Sequence, residues 1–156
     1  MAIAESLQAF LAGKGCEYEL VPHPRSGSTH ESARAAHVDD DHIAKAVILT
    51  DSKVHAMAVI PGGHWVKLDA LNAELGRVFE LAREREVASL FPDCAAGAVP
   101  PVGPAYGMET FLDESLTTLA NVFFEAGDHQ HLVHVRGEAF LELMRGVRRG
   151  HFSHDR

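Results

Sequence analysis

Apolar positions recur at helical spacing at the start of the chain, where Ile3, Leu7, Phe10 and Leu11 form one stripe. Gly13 and Gly15 then supply a stop. "YELVPH" reads as a short strand. Ser28-x-x-Glu31 has the form of a capping box and predicts a helix opening near Thr29. After the acidic turn "VDDDH", the runs "AKAVILT" and "VHAMAVIP" predict two strands joined by "DSK" as a hairpin. Leu68-Asp69 begins a short helix with Leu71 and Leu75 on its apolar side, closed by Gly76. "RVFELA" reads as a strand and "EREVASLF" as a helix halted by Pro92. "METFLD", "NVFFEAG" and "HLVHV" follow as strands, and "EAFLELMRGV" as a closing helix. Strands outnumber helices, and their irregular order is unlike the strict alternation of a doubly wound sheet. The expectation is an α+β fold: a mixed, largely antiparallel sheet flanked by helices. At 156 residues the chain is read as one domain, 1–156, with a loosely held polar tail at 147–156.

Composition narrows the function classes. Apolar residues make up 46% and charged residues 23%, ordinary globular chemistry. The apolar runs are too short to span a bilayer, and the first ten residues lack the basic flank of a signal peptide, so the expected location is cytoplasmic. Cys16 and Cys94 fit reduced thiols better than a disulfide framework. The formal net charge of −8 argues against wrapping long nucleic acid. It leaves room for binding a nucleic-acid tip through one or two local cations.

Three features carry candidate chemistry. Lys45 lies in an apolar strand, sharing a face with Val47 and Leu49, so its ammonium must find an anion or reach water. It either snorkels outward or points into a pocket. The Gly/Pro-rich run "GAVPPVGPAYG" is the second. Gly97, Ala98, Val99 and Gly103 keep amide donors, while Pro100, Pro101 and Pro104 have none. A rigid loop of this kind can hold an oxygen by backbone contacts or serve as a plain crossover. The third is "EAGDHQH", where an Asp128/His129 pair could serve acid–base work or decorate a hairpin turn. An extended chain would also put His129 and His131 on one face. With Cys94 these histidines are plausible zinc ligands, but their spacing matches no compact zinc motif. No nucleophile elbow, P-loop or dinucleotide fingerprint occurs.

The ordered series "THESARAAHV", "IAKAVILT", "AVIPGG", "LDALNAELG", "LAREREVASLFPDCAAGAVPPVG", "FLDESL", "FFEAGDHQHLVHV" and "EAFLELM" resembles the YbaK family. These are free-standing relatives of the editing domain inserted in bacterial prolyl-tRNA synthetases. The resemblance implies a mostly antiparallel sheet curled around a small pocket. It implies hydrolysis of the ester joining a wrong, small amino acid to the 3′ end of a tRNA, with no metal and no cofactor. The family's lysine falls on Lys45, its Gly-x-x-x-Pro loop on Gly97 to Pro101, its late small-residue turn on Ala126, Gly127 and Asp128, and its helix-opening threonine on Thr29. The loop's Pro100-Pro101 and the turn's "GDHQH" depart from relatives. The implied partners are a mischarged tRNA acceptor end and a synthetase, with no membrane. A non-catalytic module holding a small molecule or a tRNA end is the competing expectation.

Overall fold

A computed structural model of the chain describes residues 3–155. In chain order its elements are α1 (Glu5–Gly13), β1 (Glu19–Pro22), α2 (Thr29–Ala35), β2 (Ile43–Thr50), β3 (His55–Pro61), β4 (His64–Val66), α3 (Leu68–Leu75), β5 (Glu80–Leu81), α4 (Glu84–Leu90), β6 (Glu109–Asp113), β7 (Asn121–Glu125), β8 (His131–Arg136), α5 (Gly137–Leu143), β9 (Arg148–Gly150) and β10 (Ser153–Asp155). The main sheet runs β1-β8-β7-β2-β3-β6-β9 and is open, with β5 paired to β2; β4 and β10 form a separate ribbon. The pairs β2–β7, β3–β6 and β6–β9 are parallel and the others antiparallel. This is the mixed α+β architecture that the irregular order of elements predicts. No helix among the described residues is long and apolar enough to cross a membrane.

Local chemistry explains most boundaries. The stripe of α1 buries Leu7 and Leu11 completely. The β2–β3 hairpin pairs Ala44 with Pro61 through Thr50 with His55. Asp51 closes it by accepting the amides of Lys53 and Val54. Gly76, at φ +65, gives α3 the left-handed cap that glycine adopts without a Cβ clash. At α2, Ser28 Oγ accepts the Glu31 amide at 3.1 Å. Glu31 does not return the bond to Ser28. Its carboxylate takes the amide of Gly27, one residue earlier, at 2.8 Å.

Three expectations need correction. "RVFELA" contributes only the two-residue strand β5. The "HWV" segment forms β4, which the alternation pattern did not reveal. The tail is not loose: β9 lies beside β6, β10 lies beside β4, and Phe152 is buried. The Phe152 amide donates to Asp113 Oδ1 at 3.0 Å, and its carbonyl accepts the Lys67 amide. One aromatic anchor and main-chain pairing suffice to order a polar segment, because the ladder bonds do not depend on side-chain type.

The sheet divides the interior. On one face Ala44, Ile48, Met57, Val59, Val122 and Phe124 pack with α1, α5 and the 91–106 segment. On the other face Leu49, Ala58 and Ile60 pack with Leu71 of α3, and Ile43 and Leu132 pack with Ala33 of α2.

Candidate active site

Strand alternation places Lys45 on the α2/α3 face, with Ile43, Val47 and Leu49. The parallel register of β2 and β7 sets Ile43 beside Phe123 and Ala44 beside Phe124. One further step along each strand brings Lys45 and Glu125 together on that face. Neighbouring strands lie about 4.8 Å apart. Lys45 Nζ donates to the carbonyls of His64 at 2.6 Å and Gly62 at 3.3 Å, and lies 5.8 Å from the Trp65 ring centroid. The Gly62 amide in turn donates to Asp40 O, and the Asp40 carboxylate contacts the His30 ring of α2 at 3.0 Å. Lys45 is thereby linked to the first turn of α2, which begins at Thr29.

Glu125 is 1% exposed and belongs to a buried polar chain. Ser26 and Ser32 share a hydroxyl bond of 2.6 Å, Ser32 Oγ donates to Glu125 Oε2 at 2.9 Å, and the same oxygen meets His129 Nδ1 at 3.1 Å. His129 Nε2 meets the carbonyl of Ala96. A carbonyl only accepts, so Nε2 carries a proton. The Nδ1–Oε2 contact then needs one more proton, on either partner. Burial pushes the Glu125 carboxyl up to about 8; the Ser32 hydroxyl works against this and the charge of Asp128 adds to it. Glu125 Oε1 is buried without a hydrogen-bond partner.

The Gly/Pro segment reaches this network at one end only. Gly97, at φ +77, has its ring neighbour His129 Nε2 3.3 Å, and Gly27 O 3.4 Å, from where a Cβ would stand. The Ala98 amide is spent on Ala95 O, while the amides of Gly97 and Val99 have no hydrogen-bond partner among the described residues. Ala98, Pro100, Pro101, Val102 and Gly103 are buried. Gly103 lies against Thr110 and Met108, beside β6, and β2 and β3 separate β6 from β7. The structure thus gathers Thr29, Lys45, Gly97 and His129 around α2, and sets Gly103 apart from them. Val47 is half-buried further along the Lys45 face.

The turn 126–131 differs from its expected form. Ala126 O accepts the Ala4 amide and Gly127 O the Ala95 amide, both at 2.7 Å, so the turn is bolted to α1 and to the loop. Gly127, at φ +120, leaves no room for a Cβ, which would stand 2.9 Å from that of Ala4. His129 sits at φ +60, outside any strand, and does not share a face with His131. It pairs with Glu125 rather than with Asp128. Asp128 accepts the amides of Gln130 and His131 and the His131 ring at 2.8 Å. Burial disfavours its charge, but these donors outweigh it and hold the carboxyl below its usual range.

His129, His131 and Cys94 do not form a ligand set. Cys94 Sγ lies near Tyr106 Oη and Asp93, and burial pushes its thiol up to about 12, away from the thiolate that metals bind. The described residues that do offer three ligand atoms within 4.8 Å are Asp41, His64 and Asp155, with both aspartates exposed.

An almost wholly apolar hollow of about 250 Å³ borders Gly97 and Val99, walled by Val87, Phe91 and Cys94, with Glu84 its one charged residue. A larger one, about 560 Å³, lies between Tyr18 and Leu143 and holds none of the predicted site residues. Glu125 and Ser32 escaped the sequence reading. The signal was present in "NVFFE", where alternation sets a carboxyl on the same apolar face as Phe123.

Solved structures share this architecture. Hypothetical protein APE2540 superposes with a TM-score of 0.83 at 23% identity, covering 96% of this chain and 100% of the other. A Marinobacter aquaeolei VT8 protein proposed to act in signal transduction gives 0.77 at 24% identity; 96% of this chain is covered but only 30% of that longer one. A protein proposed to be a trans-editing enzyme for prolyl tRNA synthetase gives 0.80 at 25% identity, over 97% and 96%. No curated protein matches the chain. A family model runs over residues 23–143, from the segment before α2 to the end of α5 and through every residue of the site. On that match the chain belongs to the aminoacyl-tRNA editing domain family.

Proposed function

We propose that this chain is a trans-acting hydrolase that removes a small, uncharged amino acid from a mischarged tRNA. The observation that carries the reading is a lysine one register step from a buried Glu125–His129 pair whose ring holds Ala96 O, beside a Gly97 amide without a partner among the described residues. In the reaction, a water oxygen bonds to the ester carbonyl carbon and the bond to the ribose oxygen breaks. The proton ends on that ribose hydroxyl. An aminoacyl ester is already activated, so the protein's tasks are to hold and orient it.

The amides of Gly97 and Val99 hold the carbonyl oxygen and the negative charge that develops on it. Lys45 anchors a phosphate of the terminal nucleotide as a point charge. The Glu125–His129 pair fixes the 96–97 peptide, so the donors stay aimed. The vicinal ribose hydroxyl orients the water. Asp128, whose oxygens are occupied by the turn, shapes the loop and does not take the proton. The apolar hollow beside Gly97 receives the side chain and disfavours charged ones, since an unpaired buried charge is costly. Alanine, serine and cysteine fit this description.

A second reading is supported by the engagement of both His129 nitrogens and both Asp128 oxygens: the site binds an acylated end without turning it over. Incubating purified protein with a panel of misacylated tRNAs decides between them. Release of one small amino acid supports the hydrolase; retention of every ester supports the binding module.

A further inference from the structure

Among the described residues, Trp65 is the one aromatic of the exposed large apolar side chains, with 53% of its surface in water. Single exposed apolar residues are ordinary, so exposure alone says little. Its surroundings say more. Trp65 stands on β4, opposite His154 of β10. The ribbon is pinned by His64, whose ring contacts Ser153 Oγ at 2.7 Å and Asp155 Oδ1 at 2.8 Å. The backbone that carries the indole is therefore rigid. The Lys45 ammonium lies 5.8 Å from the ring centroid, within cation–π range. That ammonium is itself fixed by the carbonyls on either side of Gly63. A flat π surface and a phosphate-competent cation are thus held side by side.

We infer that Trp65 is a stacking platform for the terminal nucleobase of the acylated strand. This rests on the proposed reaction and adds a binding subsite to it. A base offers a π face whatever its identity, and aromatic side chains beside a cation are how proteins hold single-stranded ends without wrapping them. The geometry also reconciles the net charge of −8 with a nucleic-acid substrate, because one base and one phosphate suffice for the contact.

Trp65 is the chain's one tryptophan, so its emission reports on this ring alone. A short single-stranded RNA ending in CCA should quench it saturably, and the same strand lacking the terminal adenosine should quench it far less. Trp65→Ala should raise KM for charged tRNA by roughly 10- to 100-fold with kcat little changed, and Trp65→Phe should recover most of the loss. Unaltered emission, equal quenching by the two strands, or a native KM in a folded Trp65→Ala protein would overturn the platform. Quenching by the full strand in a protein that releases no amino acid would retain the platform and reject the hydrolase.

Discussion

Gly97 and Gly103 belong to one Gly/Pro-rich stretch and perform opposite tasks. Gly97 is exposed and left-handed at φ +77, a side chain there would crowd the His129 ring, and its amide has no partner among the described residues. Gly103 is buried, and a Cβ there would overlap Thr110 Oγ1. One glycine supplies a backbone conformation that aims a donor, and the other supplies absence of volume. The buried stretch, Pro100 to Gly103, is the footing that lets the exposed Ala96 and Gly97 hold their position. A residue type in a loop therefore says little until its burial and its dihedral are known.

The largest effect is expected from Gly97→Val. A β-branched residue is strained at positive φ and crowds the His129 ring, so turnover should fall about 100- to 1,000-fold, the usual loss for a missing oxyanion donor. The melting temperature should move far less. Equal loss in rate and stability would erase the distinction between the two glycines. Gly103→Ala is the counterpart. Overpacking against Thr110 should cost about 2–3 kcal/mol of stability in urea unfolding, with the rate of the remaining folded protein near native. A rate defect without a stability defect there would put Gly103 in the site after all.

Lys45→Met keeps the aliphatic stem and removes the charge. Loss of a hydrogen-bonding cation should lower kcat/KM about 10- to 100-fold, chiefly through KM. If native kcat/KM persists, the lysine only ties down the Gly62–His64 turn, and the site reduces to the Gly97 side.

The readable parts of the sequence were those that local physics dictates. The β2–β3 hairpin, α3 with its Gly76 cap, and the Ser28 cap of α2 followed from runs, alternation and caps. That Lys45 needs polar partners was legible, because a cation in an apolar strand must be explained, and it finds them in the Gly62 and His64 carbonyls. The strands β4, β9 and β10 were not, because three residues cannot display a period, and their order comes from partners far along the chain. The His129 pairing was hidden for another reason. Its left-handed backbone breaks the two-residue period from which a face shared with His131 was expected. Glu125 could have been flagged by the rule that singled out Lys45.

On turnover, Glu125 gives the smallest and most diagnostic effect. Its carboxyl is raised from an ordinary 4.5 to about 8, so the folded protein binds this proton more tightly than the unfolded chain does. The contribution is complete below about pH 4.5 and is lost as pH rises through about 8. Once the pair has lost its proton, a His129 lone pair faces a carboxylate, and the hold on Ala96 O loosens. The charged and titratable groups on the surrounding elements are Lys45 on β2, His30 and Glu31 on α2, His23 before it, and Asp128 and His131 in the turn. The informative quantity is the difference from Glu125→Gln, in which contributions common to both proteins cancel. The amide keeps the shape and lacks the titration. Between pH 5 and 9 the wild type should lose on the order of 4 kcal/mol more than Glu125→Gln in urea unfolding, since each unit by which the carboxyl is raised is worth about 1.4 kcal/mol. Its deacylation rate should also decline above pH 8 while that of the variant does not. Parallel curves for the two proteins would mean that Glu125 holds no proton at neutral pH, and the position of Gly97 would then rest on its dihedral alone.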